Sequence, residues 1–297
     1  MRPTEGAARG AGPIHRAAAV LAEVLAGLGV EEDGPPAPEA VKACCARAYG
    51  VDLVGLFLGE SYHPGGLALT RRLGEVLGLR PGERVLDVAS GIGTTALLLA
   101  AEYGVEVVGV DLGEAQVARA RSRAEAAGVG DRVRFEVGDA EGLAAEDASF
   151  DAVVCECAFC TFPAKETAAS ELARVTRPGG RVGIADVWLE PGHLDPALAG
   201  LAGWVACVAD ARPVSDYRRL LADAGLEVSV CEGHDDALAE TIDRVEARIR
   251  ALRMLRLPVL SSLNFDRGTD LARRAARMVA DGQGGYMVLV ATRPVVP

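Results

Sequence analysis

Three of the chain's seven cysteines, Cys155, Cys157 and Cys160, fall within six positions in "AVVCECAFCTFPAKE". Thiols this close can hold a soft ion, form a redox pair, supply a nucleophile, or fill apolar space. Structural zinc calls for paired C-x-x-C knuckles, and C-x-C-x-x-C without a second cluster is incomplete. A thioredoxin-type pair opens a helix after the first strand of its fold, a context that Cys157-Ala-Phe-Cys160 lacks. A soft ligand set and apolar filler therefore stay open. The remaining cysteines are Cys44, Cys45, Cys207 and Cys231. An odd count, spread through helix- and strand-like runs, suits free thiols in a reducing cytoplasm.

Conventional bases are scarce, with four histidines in the chain. The candidates are His63, His193, Glu156 and Tyr62, and none stands in a base-plus-orienter pattern. His15, His193 and His234 read as exposed. This shortage favours a soft nucleophile over chemistry that needs a proton removed.

Composition narrows the partners. The formal charge is −11 over 297 residues, half of them hydrophobic. An acidic surface repels phosphate backbones, so nucleic acid is excluded as a partner. The first helix pattern carries Glu23 and is no long apolar run, which argues against a signal peptide or membrane span.

The elements that must position these residues follow a regular order. Residues 1–12 read as a flexible tail and 13–79 as a helical cap. The cap holds a helix from Pro13, the linker "EEDGPPAPE", a short helix "EAVKACCARAYG" ending at Gly50, and the amphipathic "GGLALTRRLGEVLGL". Beyond residue 80, "RVLDVA", "VEVVGVD", "VRFEVGD", "DAVVCE" and "GRVGIADV" are short apolar strands. Helix patterns separate them, including "KETAASELARVTRPGG". Alternating strand and helix predicts a parallel sheet covered on both faces. The helix "VSDYRRLLADAG" leads to the strand "LEVSVCE". Two helices then fill an insertion over about 236–281, the second capped at Thr269, before the closing strand "GGYMVLVATRP".

The most informative run is "VLDVASGIGTTALLLA". A buried strand enters a turn in which Gly91 and Gly93 allow close backbone approach to a ligand, and a helix N-terminus follows. A dinucleotide site would read G-x-G-x-x-G, whereas here Asp87 lies inside the strand before a single G-x-G. Asp111 ends the next strand about 20 residues on, where an acid suits a ribose diol. Asp139 ends the third strand.

These features resemble the class I S-adenosylmethionine-dependent methyltransferases, over residues 80–232 and again at the closing strand. The resemblance implies a seven-stranded, mostly parallel Rossmann-like sheet with helices on both faces and an antiparallel last strand. It implies S-adenosyl-L-methionine as cofactor and a small-molecule acceptor. The amino-acid part would lie on Asp87, Ala89, Ser90, Gly91 and Gly93, the ribose on Asp111 and Leu112, and the adenine on Asp139 and Ala140. Glu156, Tyr62 and His63 join this set. "SYHPGG" either closes over the cofactor or is a plain turn.

Within that family, the cysteine after strand four and the one before "YRRLLADAG" are similar to those of arsenite methyltransferases. By that match Cys157 and Cys207 are arsenic-binding thiols, with Cys44 or Cys45 as the third and Cys160 close by. Cys155 and Cys231 are then strand filler. An organic acceptor, such as a quinone, sterol or secondary product, stays open, as does a non-catalytic metalloid sensor.

Overall fold

A computed structural model of the chain describes residues 37–50, 62–198, 203, 206–256, 260 and 264–295. The expected tail at 1–12 and the helix from Pro13 lie outside them. Helix α1 (Pro38–Gly50) and helix α2 (Gly66–Leu77) come first. The alternating part follows as β1 (Arg84–Val88), α3 (Thr94–Tyr103), β2 (Glu106–Asp111), α4 (Glu114–Ala126), β3 (Val133–Val137) and β4 (Phe150–Glu156). After a short 3-10 turn at Phe159–Thr161 come α5 (Lys165–Val175) and β5 (Thr176–Leu189). The rest is α6 (Val214–Asp223), β6 (Glu227–Gly233), α7 (Asp235–Leu255), α8 (Phe265–Ala280) and β7 (Gly284–Thr292).

The seven strands form one sheet in the order β3-β2-β1-β4-β5-β7-β6. All pairings are parallel except those of β7, which runs antiparallel to β5 and β6. The fold expected from the sequence is therefore the one observed. β1 is central and covered on both faces, so beyond the exposed Arg84 at its start it is buried and apolar apart from Asp87. Asp87 faces Gly109 of β2 and Val154 of β4 across the ladder. The chain leaves β1 toward β2 and β3 on one side, then toward β4 and β5 on the other. That reversal opens a crevice at the carboxyl ends of β1 and β4.

Helices α2, α3 and α4 cover one face, and α5 and α6 cover the other. α2 shows how the cover is held. Leu69, Leu73 and Leu77 recur on one side and are all buried in the sheet's core. Each such leucine contributes roughly 1.5–3 kcal/mol by burial. α7 and α8 differ, since Ile249 and Met278 are their buried residues and the two helices pack mainly on each other and on β7.

Three local expectations need correction. The helix after β4 ends at Val175, and Thr176–Gly180 already belongs to β5. Pro178 disfavours helical geometry at Arg177, which ends the turn. α8 starts at Phe265 rather than at a Thr269 cap. Asn264 Oδ1 accepts from the Arg267 amide at 2.9 Å. Thr269 lies inside the helix, with its hydroxyl donating to the Phe265 carbonyl. Cys231 is exposed, not filler, because β6 is the sheet's edge and its alternate residues face outward.

Candidate functional site

The crevice holds a cleft of about 170 Å³. Its floor is the turn from β1 to α3. Ser90 donates its amide to the Val110 carbonyl at 3.0 Å, and Gly93 donates to the Ser90 carbonyl at 2.9 Å. Gly91 has φ +54°, and a Cβ there would meet nothing within 4 Å, so its open side faces the cleft. Gly93, at φ +80°, does a different job. A Cβ there would lie 2.5 Å from Phe135 Cζ, so this glycine lets the turn pack on β3. Gly93 is correspondingly absent from the cleft wall, unlike the other residues expected around the cofactor.

Carboxylates ring this floor. Asp111 accepts from the Gly91 amide through Oδ2 and from the Gly113 amide through Oδ1, each at 2.8 Å. Those bonds fix the carboxylate and leave lone pairs on both oxygens for a diol. Burial pushes its pKa up, against the pull of the two amides. Asp87 is 2% exposed, and its Oδ2 has no hydrogen-bond partner. Burial, then the charges of Glu156 and Asp111, push its pKa well above the ordinary carboxylate value. Ser90 Oγ is likewise buried without a partner. Buried polar atoms of this kind are expensive unless something meets them.

Glu156 ends β4 and is held from three sides. Thr95 donates to its Oε2 at 2.5 Å, Thr70 donates at 3.0 Å, and His63 Nε2 lies 3.7 Å away. His63 is buried, with Nδ1 3.1 Å from the Pro64 carbonyl and Nε2 3.2 Å from the Thr70 hydroxyl. His63 thus has the oriented setting that its sequence context did not reveal. His193 is exposed and away from the cleft, as expected. His234 is half-buried against Glu232 rather than exposed.

Asp139 meets a residue not anticipated from the sequence. Lys42 on α1 pairs with Asp139 at 2.8 Å and with Glu141 at 2.5 Å. Burial opposes the lysine's charge, but the two acids outweigh it and raise its pKa. Gln116 of α4 donates to the Ala46 carbonyl at 2.8 Å and seats the same helix. The available signal was spacing: Lys42 and Cys45 are three apart and share a helix face.

The thiols gather at the other end of the cleft. Cys157 and Cys45 line it. Cys207 and Cys160 are buried behind that wall, 5% and 1% exposed. Cys207 Sγ is 3.6 Å from the Tyr49 hydroxyl and 3.4 Å from the Cys157 carbonyl oxygen. That carbonyl favours a protonated Cys207. The Cys157 and Cys160 thiols and the Tyr49 hydroxyl act the other way as donors. Together they outweigh burial and hold the Cys207 pKa well below the ordinary thiol value. Cys157, mainly through that same bond, and Cys160, mainly through burial, are pushed up. Burial and the charge of Cys207 push Cys45 up to about 12. Of the cluster's thiols, Cys207 is therefore the one whose deprotonation is favoured.

Of the two adjacent α1 cysteines, Cys45 faces this cluster. Cys44 answers to burial and to Arg47, and it is not part of the wall. The expected arsenic ligand set of Cys157, Cys207 and Cys44 is not assembled. Among the described residues no group of three or more His, Cys, Asp or Glu is set to hold a metal ion. Cys155 points to the opposite side of β4 and is fully buried, as filler should be.

The comparisons agree with this geometry. A family model described as a methyltransferase domain matches residues 85–180. The 27-O-demethylrifamycin SV methyltransferase of Amycolatopsis mediterranei is 32% identical over 82% of this chain and 93% of its own length. The chain belongs to the class I S-adenosylmethionine-dependent methyltransferases. An arsenite methyltransferase of Halobacterium salinarum is 34% identical, over 50% of this methyltransferase and 38% of its own length. A phosphoethanolamine N-methyltransferase 2 of Haemonchus contortus, solved with S-adenosylhomocysteine, superposes at TM-score 0.71 with 21% identity. That match covers 84% of this chain and 58% of the other, and it speaks for the fold.

S-adenosylmethionine is the methyltransferase's cofactor, and the cleft residues fit it. The cofactor carries two positive centres, a sulfonium and an ammonium. Asp87, with an unpartnered buried oxygen, and Glu156 stand where a cation would relieve their mutual repulsion. Gly91 leaves room beside them. Among the described residues no helix is long and apolar enough to cross a membrane.

Proposed function

We propose that this methyltransferase acts on a small thiophilic acceptor, trivalent arsenic supplied as arsenite, held by Cys157 and Cys207 with Cys45 as the third thiol. In this reading Asp87, Ser90 and Gly91, with the Ala89 backbone, hold the amino-acid end of the cofactor. Asp111 with Leu112 holds the ribose, and Asp139 with Ala140 the adenine edge. Tyr62 and His63 close the cleft. S-adenosylmethionine supplies the methyl group, whose bond to sulfur breaks as the acceptor's lone pair attacks.

The observation that carries the acceptor reading is the state of Cys157 and Cys207. Five described non-glycine residues have left-handed backbone, and three of them are Ala89, Cys157 and Cys207. Such a conformation costs roughly 1–3 kcal/mol and collects at functional sites. Glycine would adopt it without strain, yet thiols stand at two of these positions, in contact. Arsenite exchanges hydroxide for thiolate, releasing water, so each thiol's proton leaves in that water and no separate base is needed. Thiolate ligands then hold arsenic near the methyl carbon and raise its electron density. Cys45 reaches the set through movement of α1.

A second reading is an organic acceptor. It is favoured by the rifamycin-type relative, whose similarity runs nearly end to end. The His63–Thr70–Glu156 chain would then take up the acceptor's proton. The two readings separate on S-adenosylhomocysteine release under reducing conditions. The arsenic reading requires release that depends on added arsenite and yields methylated arsenic. Release that ignores arsenite but responds to an organic acceptor such as 27-O-demethylrifamycin SV favours the second.

A further inference from the structure

Lys165 is the first residue of α5, where the helix dipole disfavours a cation, and it is 3% exposed. A charge in such a place needs complete pairing. Its ammonium donates to the Cys160 carbonyl at 2.8 Å, the Phe162 carbonyl at 3.0 Å and Asp210 Oδ2 at 2.6 Å. All three hydrogens of the ammonium are thereby placed. One of these acceptors lies in the 3-10 turn after β4 and another on the residue just past it. The third is three residues beyond Cys207, in a separate segment. Asp210 is also gripped by Arg212, at 2.9 Å. On its other side the same turn is fixed by Asp186, which accepts from the Cys160 amide at 2.8 Å.

We infer that Lys165 is a positioning residue for the acceptor site, tying the turn that bears Cys160 to the turn that bears Cys207. The tie sets the Cys207 sulfur against Cys157 and keeps Cys207 in its left-handed conformation. Without it, no ion pair among the described residues joins the 206–210 segment to the β4 turn, and Cys207 relaxes away from the wall. Lys165 does not line the cleft. This inference rests on the thiolate reading for its function, though the tie itself can be measured without arsenic.

Dibromobimane, which fluoresces on bridging two thiols, reports the tie directly, with the bridged peptides located by mass spectrometry. The wild type should bridge Cys207 to Cys157 or Cys160. Lys165→Met should slow that bridging about tenfold, the scale of a lost charge-assisted bond, while S-adenosylmethionine affinity stays within about twofold. Asp210→Asn keeps an acceptor oxygen but no charge, and should slow bridging by a smaller factor. A structural role alone would move bridging and cofactor affinity together, which would overturn the assignment. Unchanged bridging in Lys165→Met overturns it too. If that variant does not bind cofactor because it fails to fold, unchanged bridging in Asp210→Asn has the same force. A wild type that bridges in this Lys165-dependent way yet methylates no arsenic retains the tie and removes the arsenic reading.

Discussion

The Cys207 sulfur lies 3.4 Å from the carbonyl oxygen of Cys157, and both residues have left-handed backbone, with φ of 61° and 53°. Two strained residues from segments 50 positions apart meet at the thiol end of the cleft. The Cys157 amide is held there by the Ala185 carbonyl at 2.6 Å, so β5 fixes the geometry from below.

Asp111→Ala should weaken S-adenosylmethionine binding by about 1–3 kcal/mol, the usual cost of leaving hydrogen-bonding groups unmatched. The Gly91 and Gly113 amides lose their acceptor in the same variant. Calorimetry that finds unchanged affinity removes Asp111 from the cofactor site.

Gly91→Val should abolish cofactor binding and leave the fold in place. The side chain would enter open space on the cleft side, and the φ of +54° adds strain of roughly 1–2 kcal/mol. Circular dichroism checks the fold, and calorimetry checks the binding. Wild-type affinity in this variant shows that the turn does not face the cofactor.

Asp186 gives a pH dependence. Burial, then the charge of Cys207, push its carboxyl up to about 7 against bonds from Cys160 and Val187. Between about pH 4 and that value the folded chain keeps a proton that the unfolded chain has released. This contribution is greatest at the acid end and is lost as pH rises through the window, by ~4 kcal/mol at most. Urea unfolding of wild type against Asp186→Asn should show the difference, with the variant lacking that slope. The amide also opposes one of two backbone donors, so the variant starts less stable. Parallel slopes in the two proteins contradict the assignment.

Cys44→Ser should be silent, and Cys45→Ser should lose arsenic turnover. Adjacent helical side chains diverge by about 100°, and Cys45 is the one turned to the cleft. Turnover assays at fixed cofactor decide it, and equal activity in both variants removes α1 from the ligand set.

The fold was readable because the strands are short apolar runs between helix patterns, with Asp87 inside β1, Asp111 ending β2 and Asp139 just beyond β3. The residues expected around the cofactor came from the family resemblance that those positions carry. Gly93 could not be told from Gly91, since only the meeting with Phe135 across the turn separates their roles. Lys42 stayed hidden because its acids lie 97 and 99 positions away. Cys157 and Cys207 were paired through family resemblance, since local spacing cannot link segments so far apart. Asp186 and Lys165 read as ordinary strand and helix residues, and burial among thiols and turns gives them their weight.

The most direct measurement of the central claim is arsenic methylation by Cys157→Ser and Cys207→Ser, each shown to bind S-adenosylmethionine normally. With arsenite and thiol reductant, the wild type should form methylated arsenic, and each serine variant should form essentially none. Full turnover in both variants would contradict a thiolate-held acceptor and leave the organic acceptor in its place.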